Sequence, residues 1–251
     1  MAYVLLTRGE VKDASLRKRL DEAGVPHESV PLLEHAPGPS FAKLPERLGE
    51  AWDWVVVTSP TAARFLLEAW DQAGRPDLRV AAIGKGTART LAGGGLAVAY
   101  TSPQAYGSYL AADLGGGGRV LWPTSQLAGT GLQETLSERG FVVVREDVYL
   151  TLSRRLSDAE RALLDGAGVA ALASPSAVRA WVESSRARPP VAAIGRVSAQ
   201  AALEAGFEHV WFPERPGVEG WSQIIRDVFA RAVPSKNTPT TPQSQDKGDR
   251  Y

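Results

Sequence analysis

The chain has 251 residues, 44% hydrophobic and 22% charged, with 28 Lys plus Arg balanced by 28 Asp plus Glu. That balance leaves no long-range field to attract nucleic acid or an anionic membrane, so any anionic ligand must be held by local groups. Cysteine is absent, which excludes disulfide scaffolds, thiol nucleophiles and Cys-ligated metals.

No apolar run approaches the ~18 residues of a membrane span. The opening stretch Met1–Arg8 has no basic leader and reads as a strand rather than a signal peptide, so a soluble cytoplasmic protein is expected. Strands are predicted at Val4–Leu6, His27–Leu33, Trp54–Val57, Val80–Ile83, Ala97–Tyr100, Val120–Trp122, Val142–Tyr149, Gly168–Leu172, Val191–Ile194 and His209–Phe212. Most intervals between them carry apolar residues at helical spacing, as in Leu16, Leu20 and Ala23 or Phe65, Leu66 and Trp70. Strand then helix, repeated along the chain, predicts an α/β fold with parallel sheets covered on both faces. Gly115–Gly118 reads as a flexible loop tip. The tail 233–251 is rich in Ser, Thr, Pro and Gln without apolar periodicity, and is expected to be disordered.

An internal repeat says more. Val55-Val-Val-Thr-Ser-Pro-Thr-Ala-Ala-Arg64 aligns with Ala170-Ala-Leu-Ala-Ser-Pro-Ser-Ala-Val-Arg179. Val80-Ala-Ala-Ile-Gly84 then aligns with Val191-Ala-Ala-Ile-Gly195, and Gly95–Tyr100 with Gly206–Trp211. A shorter unit, Val4 to Leu33, pairs with Val120 to Tyr149. The order is short, long, short, long. A short unit contributes two strands and a long one three, so one of each builds a five-stranded sheet. If the second short unit completes the sheet of the first long unit, one lobe is contiguous over 36–149. The other then joins 1–35 to 150–232, with crossings near Leu33–His35 and Tyr149–Thr151. Two sequential lobes without exchange fit the periodicity equally well.

Several turns recur in both halves where a strand ends and a helix begins. They are Thr58-Ser59-Pro60-Thr61 and Ser174-Pro175-Ser176, then Gly84-Lys85-Gly86-Thr87 and Gly195-Arg196-Val197-Ser198, and lastly Thr7-Arg8-Gly9 and Pro123-Thr124-Ser125. In open parallel sheets ligands bind beyond the carboxyl ends of the strands, where helix N-termini present free amides and a partial positive charge. The plainer alternative is that these hydroxyls only cap helices. Gly84–Arg89 lacks the sixth small residue of a dinucleotide turn and does not fit a P-loop. His27, His35 and His209 show no ligand spacing, no Gly-x-Ser-x-Gly elbow is present, and the seven tryptophans read as packing groups. Tyr149 stands at an expected crossing, where its hydroxyl could face a cleft.

Thr7-Arg8, Thr58-Ser59-Pro60, the two Ala-Ile-Gly blocks, Val148-Tyr-Leu-Thr151 and Ser174-Pro-Ser176 together resemble the uroporphyrinogen-III synthase family, over about residues 3 to 230. The resemblance implies two flavodoxin-like lobes joined by a two-stranded linker, the N-terminal segment completing the C-terminal lobe. It implies a cofactor-free, cytoplasmic, monomeric lyase in heme, siroheme and cobalamin formation. The substrate would be hydroxymethylbilane, a linear tetrapyrrole with eight carboxylates, held between lobes and delivered by transient contact with hydroxymethylbilane synthase. The product would be uroporphyrinogen III, with ring D inverted and water lost. By the same resemblance Tyr149 is the proton donor to the leaving hydroxyl. Carried over as carboxylate-gripping groups are Thr58, Ser59, Thr61, Thr87, Ser174, Ser176, Val197 (through its amide alone) and Ser198, with Arg8, Thr124 and Ser125 beside them. Ala173 has no hydroxyl where the first copy has Thr58, which weakens side-chain contact there but not main-chain contact. The rival readings are a two-lobed small-anion-binding or sensor protein and a two-lobed transferase acting on a nucleotide sugar.

Overall fold

The computed structural model describes residues 2–102, 110, 113–215 and 217–232. The tail expected to be disordered lies outside them. In chain order the strands are β1 (Val4–Leu6), β2 (His27–Ser29), β3 (Leu33–Pro37), β4 (Trp54–Val57), β5 (Val80–Ile83), β6 (Tyr100–Ser102), β7 (Gly118–Ser125), β8 (Phe141–Ser153), β9 (Val169–Leu172), β10 (Val191–Ala193) and β11 (Val210–Trp211). The helices are α1 (Glu10–Glu22), α2 (Leu44–Leu48), α3 (Pro60–Gln72), α4 (Lys85–Gly93), α5 (Gly131–Glu138), α6 (Asp158–Asp165), α7 (Pro175–Ser184), α8 (Arg196–Glu204) and α9 (Val218–Ala232). They fall into two compact units. One draws its described residues from Met1–Leu33 and Ser153–Tyr251, the other from Glu34–Leu152.

The discontinuous unit holds a five-stranded sheet in the order β11-β10-β9-β1-β2, with every neighbouring pair parallel. Val4, Leu5 and Leu6 are all fully buried. Alternate residues of a strand point to opposite faces, so an unbroken apolar run is what a strand covered on both sides requires. Leu5 joins Leu172, Trp181 and Phe207 in the core on one face, while Val4 and Leu6 join Leu16, Trp221 and Ile225 on the other.

The contiguous unit holds a six-stranded sheet in the order β3-β8-β7-β4-β5-β6. Its five strands β8-β7-β4-β5-β6 reproduce β2-β1-β9-β10-β11 of the other unit. The short unit β7–β8 thus completes the sheet of β4–β6, and β1–β2 completes that of β9–β11. Side chains repeat with the backbone. Trp70 on α3 donates its indole N–H to Pro76 O at 2.8 Å, and Trp181 on α7 donates to Ala187 O at 2.9 Å, six residues on in each case.

Four expectations change. The run His27–Leu33 is not one strand, because its pairing with β1 ends at Leu6 opposite Ser29, and past that point only Val30 N and Leu32 N still reach Leu6 O and Thr7 O. It re-forms at Leu33–Pro37 as β3, the sixth strand of the other sheet. The strand expected at Ala97–Tyr100 begins instead at Tyr100. The loop tip expected at Gly115–Gly118 ends one residue early, with Gly118 already in β7. Finally, Pro123-Thr124-Ser125 is no turn but the end of β7, which pairs with β8 as far as Ser125 while its pairing with β4 is confined to Val120 and Leu121. Beyond Leu121 a proline costs no ladder bond on that side.

Candidate active site

In both sheets the helices start just past the carboxyl ends of the strands, and the duplicated turns fix how. Ser59 is extended (φ −150°, ψ 153°), and its Oγ accepts from Ala62 N at 3.0 Å. Ser174 does the same (φ −162°, ψ 158°), accepting from Ala177 N at 3.1 Å. A proline follows each serine at the first helical position, where its missing N–H costs nothing. The first intrahelical bonds run from Ala63 N to Ser59 O and from Val178 N to Ser174 O. Of the first-turn amides, those of Thr61 and Ser176 are left unclaimed among the described residues.

The next pair of helices is more open. α4 is capped by Gly84 (φ 80°, ψ 148°) and α8 by Gly195, and neither cap offers a side-chain acceptor. The first intrahelical bonds start at Ala88 N and Ala199 N. The amides of Lys85, Gly86 and Thr87, and of Arg196, Val197 and Ser198, therefore project from the helix ends. Three such N–H groups and the positive end of the helix suit a carboxylate.

Side chains divide differently from the sequence-based expectation. Thr61, Thr87, Thr124 and Ser198 are buried as whole residues, so none of them offers an exposed hydroxyl. Val197 is 72% exposed, which leaves its amide as the polar group there. Thr58, Ser59, Ser174 and Ser176 are half-buried at the helix starts. Ser176 Oγ accepts from Arg179 at 3.1 Å, and Ser125 Oγ accepts from Leu127 N at 3.1 Å. Arg8 is engaged on every side. Its Nε meets the buried Asp13 at 2.7 Å, an Nη donates to Lys12 O at 2.7 Å, and the guanidinium lies 4.8 Å from the Trp221 ring. An arginine so held shapes the turn after β1 instead of reaching outward.

Tyr149 lies inside β8, three residues before the unit boundary at Leu152, 8% exposed and part of the core beneath α3. Its hydroxyl lies 3.3 Å from Ser59 Oγ. Its ring stacks on Phe65 (centroids 5.5 Å, planes 6° apart) and meets His35 edge-on (5.4 Å, 84°). His35 Nδ1 is 3.3 Å from Thr151 Oγ1. A pocket of about 370 Å³ opens beside these rings, lined by His35, Arg64, Phe65 and Glu68. Sequence reasoning joined Tyr149 to none of these four. Phe65 reads as core from its spacing and His35 as isolated, and only the fold brings them to the phenol. Arg64 could have been found, since it closes the repeated block that ends in Arg179 in the second copy.

The contiguous unit thus holds Thr58, Ser59, Thr61, Thr87, Thr124, Ser125 and Tyr149. The discontinuous unit holds Arg8, Ser174, Ser176, Val197 and Ser198. Among the described residues no helix is long and apolar enough to cross a membrane. The model of the family described as uroporphyrinogen-III synthase HemD matches residues 4–223. A chloroplastic uroporphyrinogen-III synthase of Oryza sativa subsp. japonica is 35% identical, over 94% of this chain and 83% of that protein. The uroporphyrinogen-III synthetase of Helicobacter pylori 26695 superposes with a TM-score of 0.65 at 17% identity, covering 91% of this chain and all of the other. A mutant uroporphyrinogen III synthase from the extremely thermophilic bacterium Thermus thermophilus gives 0.56 at 20% identity, covering 92% and 98%. At those identities the two bacterial structures speak for the fold, while the sequence matches speak for descent: the chain belongs to the uroporphyrinogen-III synthase family.

Proposed function

We propose that this protein closes hydroxymethylbilane to uroporphyrinogen III, with Tyr149 as the proton donor and first-turn amides of the helices as the grip on the substrate's carboxylates. Family membership supplies the reaction. What supports the division of labour is the Tyr149 hydroxyl held 3.3 Å from Ser59 Oγ, at the head of a helix whose next amide is unclaimed.

The chemistry needs little more. Breaking the C–O bond of the ring A hydroxymethyl group leaves an azafulvenium cation, and the phenol proton leaves with the hydroxide as water. Phenols carry their proton at neutral pH, so such a group can serve as an acid there. The substituted carbon of ring D attacks the cation and forms a spiro intermediate, which opens and recloses with ring D reversed. The proton lost from the closing carbon restores the phenol, so the cycle balances without redox change. The enzyme's second task is to hold the chain so that simple closure to the unrearranged isomer loses, which is a matter of positioning. Main-chain amides suit that task because they are fixed by the helices and add no net charge.

A monomeric enzyme, working in the cytoplasm and receiving substrate in transient contact with hydroxymethylbilane synthase, completes the proposal. The test is to supply purified protein with freshly made hydroxymethylbilane and to identify the isomer of the cyclised product. Formation of the unrearranged isomer alone, at the rate of the uncatalysed reaction, would overturn it.

A further inference from the structure

Regular alternation along β8 would turn Tyr149 away from α3. Val144 and Val148 pack into the core on the α3 side, while Phe141 and Val143 pack on the opposite face. By a period of two, Tyr149 belongs with Phe141 and Val143. It lies instead in the same core as Val148, next to Phe65 and Ser59. The register explains why. Thr124 of β7 pairs with Asp147 of β8, but the next residue, Ser125, pairs with Tyr149. Val148 is an extra residue, a bulge of a kind rare between parallel strands, and bulges re-aim the side chains that follow them.

A bulge leaves backbone groups without ladder partners, and here residues just after β3 supply them. Gly38 N donates to Val148 O at 2.9 Å, and Ser40 N donates to Asp147 O at 3.2 Å. Gly38 sits so close that an added Cβ would fall 2.8 Å from Tyr149 N and closer still to Asp147 O. Both obstacles are backbone, so no side chain can swing aside to make room.

We propose that Gly38, by locking the bulge at Val148, is a positioning residue for Tyr149. The proposal rests on the reading of Tyr149 as proton donor. Any side chain at 38 pushes the 147–149 backbone off its present path and carries the phenol away from Ser59. Displacing a reacting group by about an ångström costs on the order of a hundredfold in rate.

The test is a cycle of Gly38→Ala, Tyr149→Phe and the double variant, assayed on hydroxymethylbilane. Gly38→Ala is expected to lower kcat toward, but not below, that of Tyr149→Phe, with KM little changed. The double variant is expected to equal Tyr149→Phe within about twofold, because residues acting through one group do not add. Equal losses from Gly38→Ala with and without the phenol would mean general damage and overturn the proposal. A slow Tyr149→Phe beside an unimpaired Gly38→Ala overturns the positioning alone. Full activity in Tyr149→Phe removes the proton-donor reading and this proposal with it. Should Gly38→Ala not fold, amide exchange in the unaltered protein decides. Protection of the Gly38 and Ser40 amides to the level of β7 supports the lock, and exchange at the rate of free peptide overturns it.

Discussion

The Tyr149 hydroxyl and Ser59 Oγ lie 3.3 Å apart, one on a strand and the other at the start of the helix that covers it. Ser59 Oγ already accepts from Ala62 N, and it retains one O–H to give and one lone pair to offer. The same atom therefore caps α3 and anchors the phenol. A group meant to deliver a proton gains from such an anchor, because its direction is set before substrate arrives.

Replacing Tyr149 by Phe removes the proton and little else. The ring keeps its stack on Phe65 and its burial, so the change in stability should stay within about 0.5–1.5 kcal/mol, the net worth of one hydrogen bond. Turnover should fall by roughly a hundredfold, the lower end for a positioned acid. Steady-state kinetics with thermal melts on the same samples check both halves, and undiminished kcat would take the acid role away.

The two serine caps offer an internal comparison. Ser59→Ala and Ser174→Ala each delete an N-cap acceptor, and each should cost about 1 kcal/mol of stability. Only Ser59 also touches Tyr149, so only Ser59→Ala should lower kcat, while Ser174→Ala should show itself in KM alone. Equal effects of the two on kcat would detach the cap from the chemistry.

Those caps were legible in the sequence because their geometry is local. A serine, then a proline, then a helical run after an apolar strand admits few other readings. The fold class was legible for a similar reason. Val55–Val57 and Ala170–Leu172 are apolar without alternation, as buried parallel strands must be. What escaped was set by distant partners. His27–Leu33 carries a strand-like run, yet β1 pairs with it only as far as Ser29, and Leu33–Pro37 finds its place beside β8. Thr61, Thr87, Thr124 and Ser198 look like ligand hydroxyls until the helices and strands that bear them turn them inward. The bulge at Val148 has no signature of its own, since it exists only in the mismatch between β7 and β8. Hence Tyr149 was identifiable as a residue, while the direction it faces and its company of Phe65 and His35 were not.

Acid sensitivity should centre on Glu160. The Arg154 guanidinium, followed by the Ser157 backbone N–H, lowers its carboxyl from 4.5 to about 2. Arg154 also donates to Pro31 O at 2.7 Å and, through its backbone N–H, to Leu32 O at 2.8 Å, so the pair ties the start of α6 to the segment after β2. A folded-state value below the unfolded one means stabilisation that is present above pH ~4.5 and lost as pH falls toward ~2. Glu160→Gln should lower Tm at neutral pH, and the gap from the unaltered protein should close across that window. Melts over a pH series measure it, and a gap independent of pH would show that the charge on Glu160 is not what matters.

The claim that main-chain groups grip the substrate is tested at Val197. Its side chain is mostly exposed, so Val197→Ala should change neither stability nor KM appreciably. Proline at the same position removes only the amide N–H. It belongs to the first helical turn, where proline is tolerated, and Pro45 already occupies the second position of α2 in this protein. A hydrogen bond to a charged acceptor contributes about 1.5–3 kcal/mol, so Val197→Pro should raise KM by roughly tenfold or more while kcat holds. Circular dichroism on both variants confirms that α8 remains. If alanine and proline give the same KM, the amide of Val197 does not hold a carboxylate, and the grip on that arm must come from Arg196 or from the other helix starts.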